Sequence, residues 1–421
     1  MSDAKAPAAR PPLMPLDEAL SRLLANAQPR LATERVSTFE ADGRVLAQDV
    51  VSGLTVPPRD NSSMDGYAVR AADCAASGAV LSVAQRIPAG TVGTPLAAGT
   101  AARIFTGAQI PEGADAVVMQ EDTAVLEAES DQDAFGRVRV ETPPAAGQWI
   151  RRAGEDVRSG DVVLQRGERL SPQALGLAAS VGMDTLEVSK RPRVALLSTG
   201  DELVMPGDVA PQDMKPGAIY NSNRFFMRAL LHRLGCEVND LGIVPDKREA
   251  TIDALREAAA SNDLIVTTGG VSVGEEDHIK AAVQWLGTLD LWSLSMKPGK
   301  PFAYGRIGDA HICGLPGNPV SSFLTFLLLV RPFVLTLQGA SRVAVQPVPM
   351  RADFDWHKAD RRREFLRARR NASGGLDLFA NQSSGVLTST VWGDGVIDTP
   401  AGQPFKAGDM VQFIPFDSLL A

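Results

Sequence analysis

The sequence predicts an α/β multidomain protein: a central, mostly parallel α/β sheet domain, a β-rich insert domain, an elongated N-terminal domain and a C-terminal small β barrel. Three observations predict it. Between 190 and 337, short apolar runs alternate with apolar-periodic segments, the pattern of parallel strands covered by helices on both faces. The stretches 71–146 and 346–421 hold only short extended runs separated by Gly and Pro turns. A chain of 421 residues has room for two to four domains of about 100–200 residues each. The boundaries fall at 1–54 with 146–189 (elongated), 55–145 (β-rich), 190–337 (α/β) and 338–421 (barrel).

Composition narrows the function. A net charge of -8 and a pI near 5.2 argue against a dedicated nucleic-acid binder. Cys74, Cys236 and Cys313 are odd in number and scattered, and read as reduced thiols of a cytoplasmic protein. Residues 1–12 lack an apolar signal core, and the greasiest stretch, 323–330, is too short to span a bilayer. The four histidines have no zinc spacing, no Ser-His-Asp or Cys-His arrangement can be defended, and the P-loop and dinucleotide fingerprints are absent.

Taken in order, a first helix begins near Pro15 with Leu16, Ala19, Leu20, Leu23 and Leu24 on one face. Residues 33–56 look extended, and Pro57-Pro58 punctuates them. The run 60–70 is rich in Asp, Asn and Ser. It is either a set of side-chain-to-backbone turns or, at Asp65, a functional loop. Strand-like runs follow at 80–83, 102–105, 116–120 and 137–140, with Thr106-Gly107 offering a hydroxyl and open backbone, or a plain turn. The acidic stretch 121–133 reads as a solvated hairpin or loop. A helix over 172–182 should return to pack with the first helix.

In the central region, 194–197 ends in Ser198-Thr199-Gly200-Asp201-Glu202. Asn221-Ser222-Asn223 precedes Phe226, Met227, Leu230, Leu231 and Leu234 at helical spacing, closed by Gly235. Asp246-Lys247-Arg248-Glu249 fits a capping box. The run 264–266 breaks into a loop with Gly269, Gly270 and Gly274, and Asp277 sits where a helix cap belongs. His311-Ile312-Cys313 leads into Gly314-Leu315-Pro316-Gly317-Asn318-Pro319, with Asn318 a good N-cap and Pro319 a good first helical residue.

Ligands gather where strand carboxyl ends meet helix amino ends, because glycines admit close approach and the first helix amides are unpaired donors that suit an oxyanion. A tight turn without ligand is the rival reading. Asp201 and Glu202 could hold a hard cation such as Mg²⁺ or merely be exposed acids. Lys297 and Lys300 flank Pro298 and Gly299 in a loop too stiff and too polar for the core. They add charge that a helix terminus, contributing about 0.3–1 kcal/mol, lacks. In the last domain, Arg361-Arg362-Arg363-Glu364-Phe365-Leu366-Arg367 is either a solvated strand face or a grip on an acidic small molecule.

These motifs carry a resemblance. Thr268-Gly269-Gly270-Val271-Ser272-Val273-Gly274-Glu275-Glu276-Asp277, Met296-Lys297-Pro298-Gly299-Lys300-Pro301 and Gly314-Leu315-Pro316-Gly317-Asn318-Pro319-Val320-Ser321 resemble the molybdopterin molybdenumtransferase family. So do Asp60-Asn61-Ser62-Ser63-Met64-Asp65-Gly66-Tyr67-Ala68-Val69-Arg70, Phe105-Thr106-Gly107-Ala108 and Ala114-Asp115-Ala116-Val117-Val118, in the family's order and across nearly the whole chain.

The resemblance implies a molybdopterin-binding type of sheet domain and a homodimer. Its cleft would lie between the sheet and C-terminal domains of one subunit and the β domain of the other. It implies Mg²⁺-dependent release of AMP from adenylylated molybdopterin as molybdate is inserted, and possible contact with the adenylyltransferase of the same pathway. The catalytic residues it implies are Asp65, Thr106, Glu202, Asp246, Asp277 and Lys297. Substrate binding falls to Ser198, Thr199, Gly200, Asn221, Ser222, Gly269, Gly270, Ser272, Gly274, Lys300, Pro316, Gly317, Asn318, Arg363 and Ser384, and the metal to Asp201 and Glu202. Two departures stand out: Ser293 follows Trp292 where the family often has lysine, and the first arginine of the 361–367 run stands where it often has glycine. A molybdopterin adenylyltransferase, against which the chain length counts, and a non-catalytic scaffold stay open.

Overall fold

The computed structural model describes residues 13–28, 31–127, 135–270 and 278–420. Two passes of chain build the elongated unit. Thr33–Ser37 pairs with Thr185–Ser189, Val50–Val51 with Val162–Leu164 and Asn61–Ser62 with Ile150–Arg151, all antiparallel, so outgoing and returning chain are joined by three short ladders. Leu46, Val50, Leu164, Leu170, Leu186 and Val188 fill its core. The helix Pro172–Ser180 packs there, with Pro172 in its first turn and the Ser171 hydroxyl accepting from the Ala174 amide at 3.4 Å.

The first helix, Leu16–Asn26, does not meet that helix as expected. Its apolar face of Leu16, Ala19 and Leu23 joins the core of the central unit beside Phe333, Val334 and Leu337. Two backbone bonds fix its start there: the Met14 amide donates to Ser293 O and the Ser295 amide to Met14 O, each 2.7 Å.

The β unit is a six-stranded sheet in the order Ala116–Met119, Gly66–Val69, Thr100–Ile104, Ala79–Ile87, Arg137–Val140, Thr123–Leu126. Only Ala79–Ile87 and Thr100–Ile104 run parallel. Alternate residues feed two cores, Tyr67 and Val69 one, Ala68, Ala102 and Ile104 the other, as period-two pleating requires. The acidic stretch enters this sheet through Thr123–Leu126, hydrogen-bonded as a hairpin to Arg137–Val140, while 128–134 lies outside the described residues.

The central sheet runs Glu237–Val244, Arg193–Thr199, Leu264–Thr268, Ala310–Leu315, Pro301–Ile307, Thr288–Ser293. The first four strands are parallel and the last two antiparallel. Leu196 and Val266 face one core and Ala195, Leu197 and Ile265 the other, which is why these strands read as continuous apolar runs. The greasy stretch 323–330 proves to be the middle of a longer helix, Pro319–Leu337, with a π turn at Phe326–Val330. Its 19 residues are long and apolar enough to cross a bilayer, but 83% of that window is buried inside the protein, so it is the core helix of this unit.

The last unit is a barrel. Its order is Met296–Lys297, Arg363–Arg370, Gly395–Thr399, Met410–Pro415, Val348–Arg351, with Leu376–Leu378 on the other end of Arg363–Arg370. A bridge from Ala352 to Leu376 closes the ring. Met296–Lys297 comes from the chain of the central unit, so one unit lends the other a strand. The 297–300 loop is accordingly not the polar surface loop expected: Pro298 and Gly299 are buried, and Met296 is fully so. A side chain at Gly299, with φ of 112°, would lie 2.6 Å from Thr325 Oγ1. The three cysteines are free and buried, and burial raises their thiol pKa values, Cys74 to about 11 and Cys236 to about 12.

Candidate active site

The parallel strands deliver the expected residues to one end of the sheet. Ser198 and Thr268 are register partners, and their buried hydroxyls lie 3.1 Å apart. The next residues bend sharply. Gly200 has φ of 141°, and a Cβ there would meet the Glu202 carboxylate at 2.6 Å, so that carboxylate is folded back over the strand end. Gly269 and Gly270, at φ of 89° and 68°, pack against Thr199, and Gly269 donates its amide to Leu315 O at 3.1 Å. The third loop is tied in as well: Asn223 Nδ2 donates to Gly317 O at 2.7 Å. Pro316 is buried, while Gly317 and Asn318 are exposed.

Helix starts complete this end. Asn221 caps Ser222–Arg233 by accepting from the Arg224 amide at 3.2 Å, yet its own buried Nδ2 has no partner among the described residues. Asn318 occupies the cap position of the helix that begins at Pro319, without a side-chain capping bond. The Val320 amide donates to Ser384 O at 3.0 Å, bringing the barrel's hydroxyl-rich loop to this helix start.

Several expectations change. Asp246 forms no capping box. Lys247 is the N-cap, with no side-chain bond, and the Asp246 carboxylate lies 3.9 Å from His278 Nε2 instead. Ser272, Gly274 and Asp277 lie outside the described residues. The arginine run is not a solvated face: Arg362 pairs with Asp360, and Arg363 binds both oxygens of Asp398 at 2.6 Å and Asp17 at 2.8 Å. These carboxylates push the Arg363 guanidinium well above its usual range. Lys297 also has partners, Glu364 at 3.0 Å and Asp360 at 3.4 Å, and Asp360 is held far below the usual carboxylate range chiefly by its hydrogen bond from Arg362. Lys300 is exposed with no ion pair among the described residues.

Sequence reasoning placed Arg367 in a cationic run and missed its burial. It is 1% exposed and, among the described residues, donates only to neutral acceptors, Phe365 O, Ser383 O and Ser389 Oγ. Gln382 clamps its backbone from both sides, so this arginine holds the loop that carries Ser384. The alternation Phe365, Arg367, Arg369 gave no hint of burial, because both faces of this strand are covered: Phe365 lies in one core and Leu366 and Ala368 in another.

Asp65 and Thr106 meet in the β unit. One carboxylate oxygen of Asp65 accepts both the Thr106 amide and the Thr106 hydroxyl at 2.7 Å. The amide bond, then the hydroxyl, lowers the Asp65 pKa, with the Arg103 charge a smaller cause. Among the described residues no hydrogen bond or ion pair joins this couple to the sheet-end cluster of the same chain. For a metal, no three His, Cys, Asp or Glu side chains converge among the described residues. The exposed neighbours Asp201 and Glu202 fit a cation that keeps water and phosphate oxygens among its ligands, the habit of Mg²⁺, rather than an all-protein cage.

Glycine loops and hydroxyls at the carboxyl end of a parallel sheet, with a barrel joined to that end, define a class of α/β protein that takes an oxyanion-bearing small molecule at its strand ends. Residues 195–336 match the family described as a probable molybdopterin binding domain. Residues 14–182 match the MoeA N-terminal region (domain I and II), and 349–416 the MoeA C-terminal region (domain IV). The chain is 44% identical to a molybdopterin molybdenumtransferase of Haemophilus influenzae over 78% of each chain. It is 36% identical to one of Synechococcus elongatus over 92% of this chain and 96% of that one. The crystal structure of the molybdopterin biosynthesis moeA protein from Pyrococcus horikoshii OT3 superposes with a TM-score of 0.81 at 30% identity, covering 96% of this chain and 100% of that one. The chain belongs to the molybdopterin molybdenumtransferase family.

Proposed function

We infer that this chain inserts molybdate into adenylylated molybdopterin, releasing AMP and giving the molybdenum cofactor. The observation that carries the reading is the convergence of Thr199–Gly200, Gly269–Gly270, Gly317 and the Ser384 loop at one sheet end, in a chain related to molybdenumtransferases over nearly its full length. Exposed loop amides and the Lys300 ammonium hold the pterin phosphate, and the Asn221 amide group supplies a waiting donor. Glu202 with Asp201, and Asp246 or Asp277, would hold Mg²⁺, which when bound would withdraw charge from the phosphoryl oxygens. Lys297 braces the rim through Glu364 and Asp360, and Arg363 through Asp398 and Asp17. Asp65, fixed by Thr106, orients water or molybdate.

Asp65 reaches the cleft from a second copy of the chain. That homodimer is supported by Phe39, 95% exposed on the edge of an apolar groove of about 770 Å³ with Leu175, Ala179 and Met183. Phe39→Asp should turn the dimer into monomer at micromolar concentration, seen by light scattering after gel filtration, and abolish turnover. A dimer that survives the change would move the interface elsewhere. The buried free thiols suit a cytoplasmic setting, where the pathway's adenylyltransferase could pass on its product. An adenylyltransferase reading is disfavoured by the matched N-terminal and C-terminal regions, which surround the sheet domain.

The test uses purified protein with adenylylated molybdopterin, Mg²⁺ and molybdate, following AMP release and reconstitution of a molybdenum-free apoenzyme. Both should depend on molybdate. Binding without either product would make the chain a scaffold.

A further inference from the structure

Arg86 and Arg103 occupy partnered positions on the two parallel strands of the β unit, Ala79–Ile87 and Thr100–Ile104. Like charges side by side on a sheet are unfavourable unless something of opposite charge meets them. Among the described residues no carboxylate pairs with either. Both guanidinium carbons lie 4.8 Å from the centre of the Phe105 ring, and Arg103 lies 5.2 Å from that of Tyr67. Arg103 is also tied to Gly66 O at 3.0 Å and Gln120 Oε1 at 2.7 Å. Arg86 is exposed, and among the described residues its side chain makes no hydrogen bond, so its donors face outward on a guanidinium stacked against a ring.

This pair adjoins the Asp65 couple. Thr106 follows Phe105, Gly66 follows Asp65, and Gln120 donates its amide to Asp65 O at 3.0 Å. Two guanidinium groups stand beside the Asp65 carboxylate, while the nearby Glu121 carboxylate is bonded to Gln120 Nε2 at 3.3 Å and, among the described residues, to neither arginine, in a protein whose net charge is -8. We propose that Arg86 and Arg103 form an oxyanion subsite beside Asp65 and Thr106, taking a tetrahedral oxyanion that is either molybdate or a phosphate of the substrate. The proposal rests on the foregoing reading in that Asp65 and Thr106 face the cleft. It adds charge recognition to a wall to which that reading gives only a carboxylate and a hydroxyl.

The test is calorimetric titration of the full chain with sodium molybdate and, separately, with inorganic phosphate, for wild type, Arg86→Gln, Arg103→Gln and the double variant. Arg139→Gln, which breaks only the surface pair of Arg139 with Glu141, is the control. The double variant should bind one oxyanion about tenfold more weakly, the size expected for a lost charged hydrogen bond, with the control unchanged. Weakened molybdate binding alone identifies the metal oxyanion, weakened phosphate binding alone the substrate phosphate, and loss of both a site open to either. Wild-type affinity for both anions in the double variant, or no binding by wild type, overturns the proposal. Should Arg103→Gln lower the melting temperature, the exposed Arg86→Gln decides alone. Binding here needs no turnover, so a protein that binds through these arginines but releases no AMP sinks the molybdenumtransferase reading and leaves the subsite standing.

Discussion

Asp65→Asn should lower the rate of AMP release by about 10²- to 10⁴-fold while the chain stays folded, the range typical of losing a positioned acid-base group. Asparagine can still accept both Thr106 bonds through one oxygen, so the geometry of the loop survives and only the charge goes. Thr106→Val, which loses the hydroxyl but keeps the amide bond, should cost less than Asp65→Asn. The pH profile gives a further check. Because the Asp65 pKa is lowered in the folded protein, what its ionisation adds to stability is present above the unfolded carboxylate pKa. It is lost only as pH falls through the lower folded value. An acid limb of activity at mildly acidic pH would therefore report another group. Turnover equal to wild type in a folded Asp65→Asn protein would remove this residue from the machinery.

Gly66→Ala should destabilise the protein by about 3 kcal/mol or more, the upper part of what overpacking costs. A Cβ at Gly66 would lie 1.9 Å from Val118 O and 2.9 Å from Val118 C, and these are backbone atoms of the paired strand Ala116–Met119 that cannot turn aside. Displacing that strand also moves Asp65, so activity should fall with stability. Gly53→Ala, where no atom lies within 4 Å of the new methyl, is the comparison. Urea unfolding midpoints of the two variants, if equal, would show that the close approach at Gly66 relaxes freely.

What could be read from the sequence was local. The apolar runs at 194–197 and 264–266 named their strands because burial on both faces leaves little room for polar residues. Asn221 named its helix start because a cap acts within three residues. What could not be read depends on distant partners. The amphipathic face of Leu16–Asn26 announces that it packs, not that it packs on Phe333 rather than near Ala178. Arg363 looked available to a ligand because its partners, Asp17 and Asp398, lie 346 and 35 residues away. Thr106 is 41 residues from Asp65, and sheet pairing, which leaves no mark on local composition, unites them. The Asp246 box failed for a smaller reason: the helix begins at Arg248, leaving Asp246 one position too early to cap it.

The strand Met296–Lys297, paired in parallel with Arg363–Glu364, bears on how the protein can be divided. A barrel attached only by its linker could be trimmed away as a module. Here, removing the chain beyond Leu337 would strip Met296–Lys297 of its ladder and leave Lys297 without Glu364 and Asp360. An isolated barrel would in turn carry an open edge at Arg363, ready to pair with other chains. The two units are therefore held by a shared strand and its ion pairs as well as by the linker, and a cut at Leu337 would damage both.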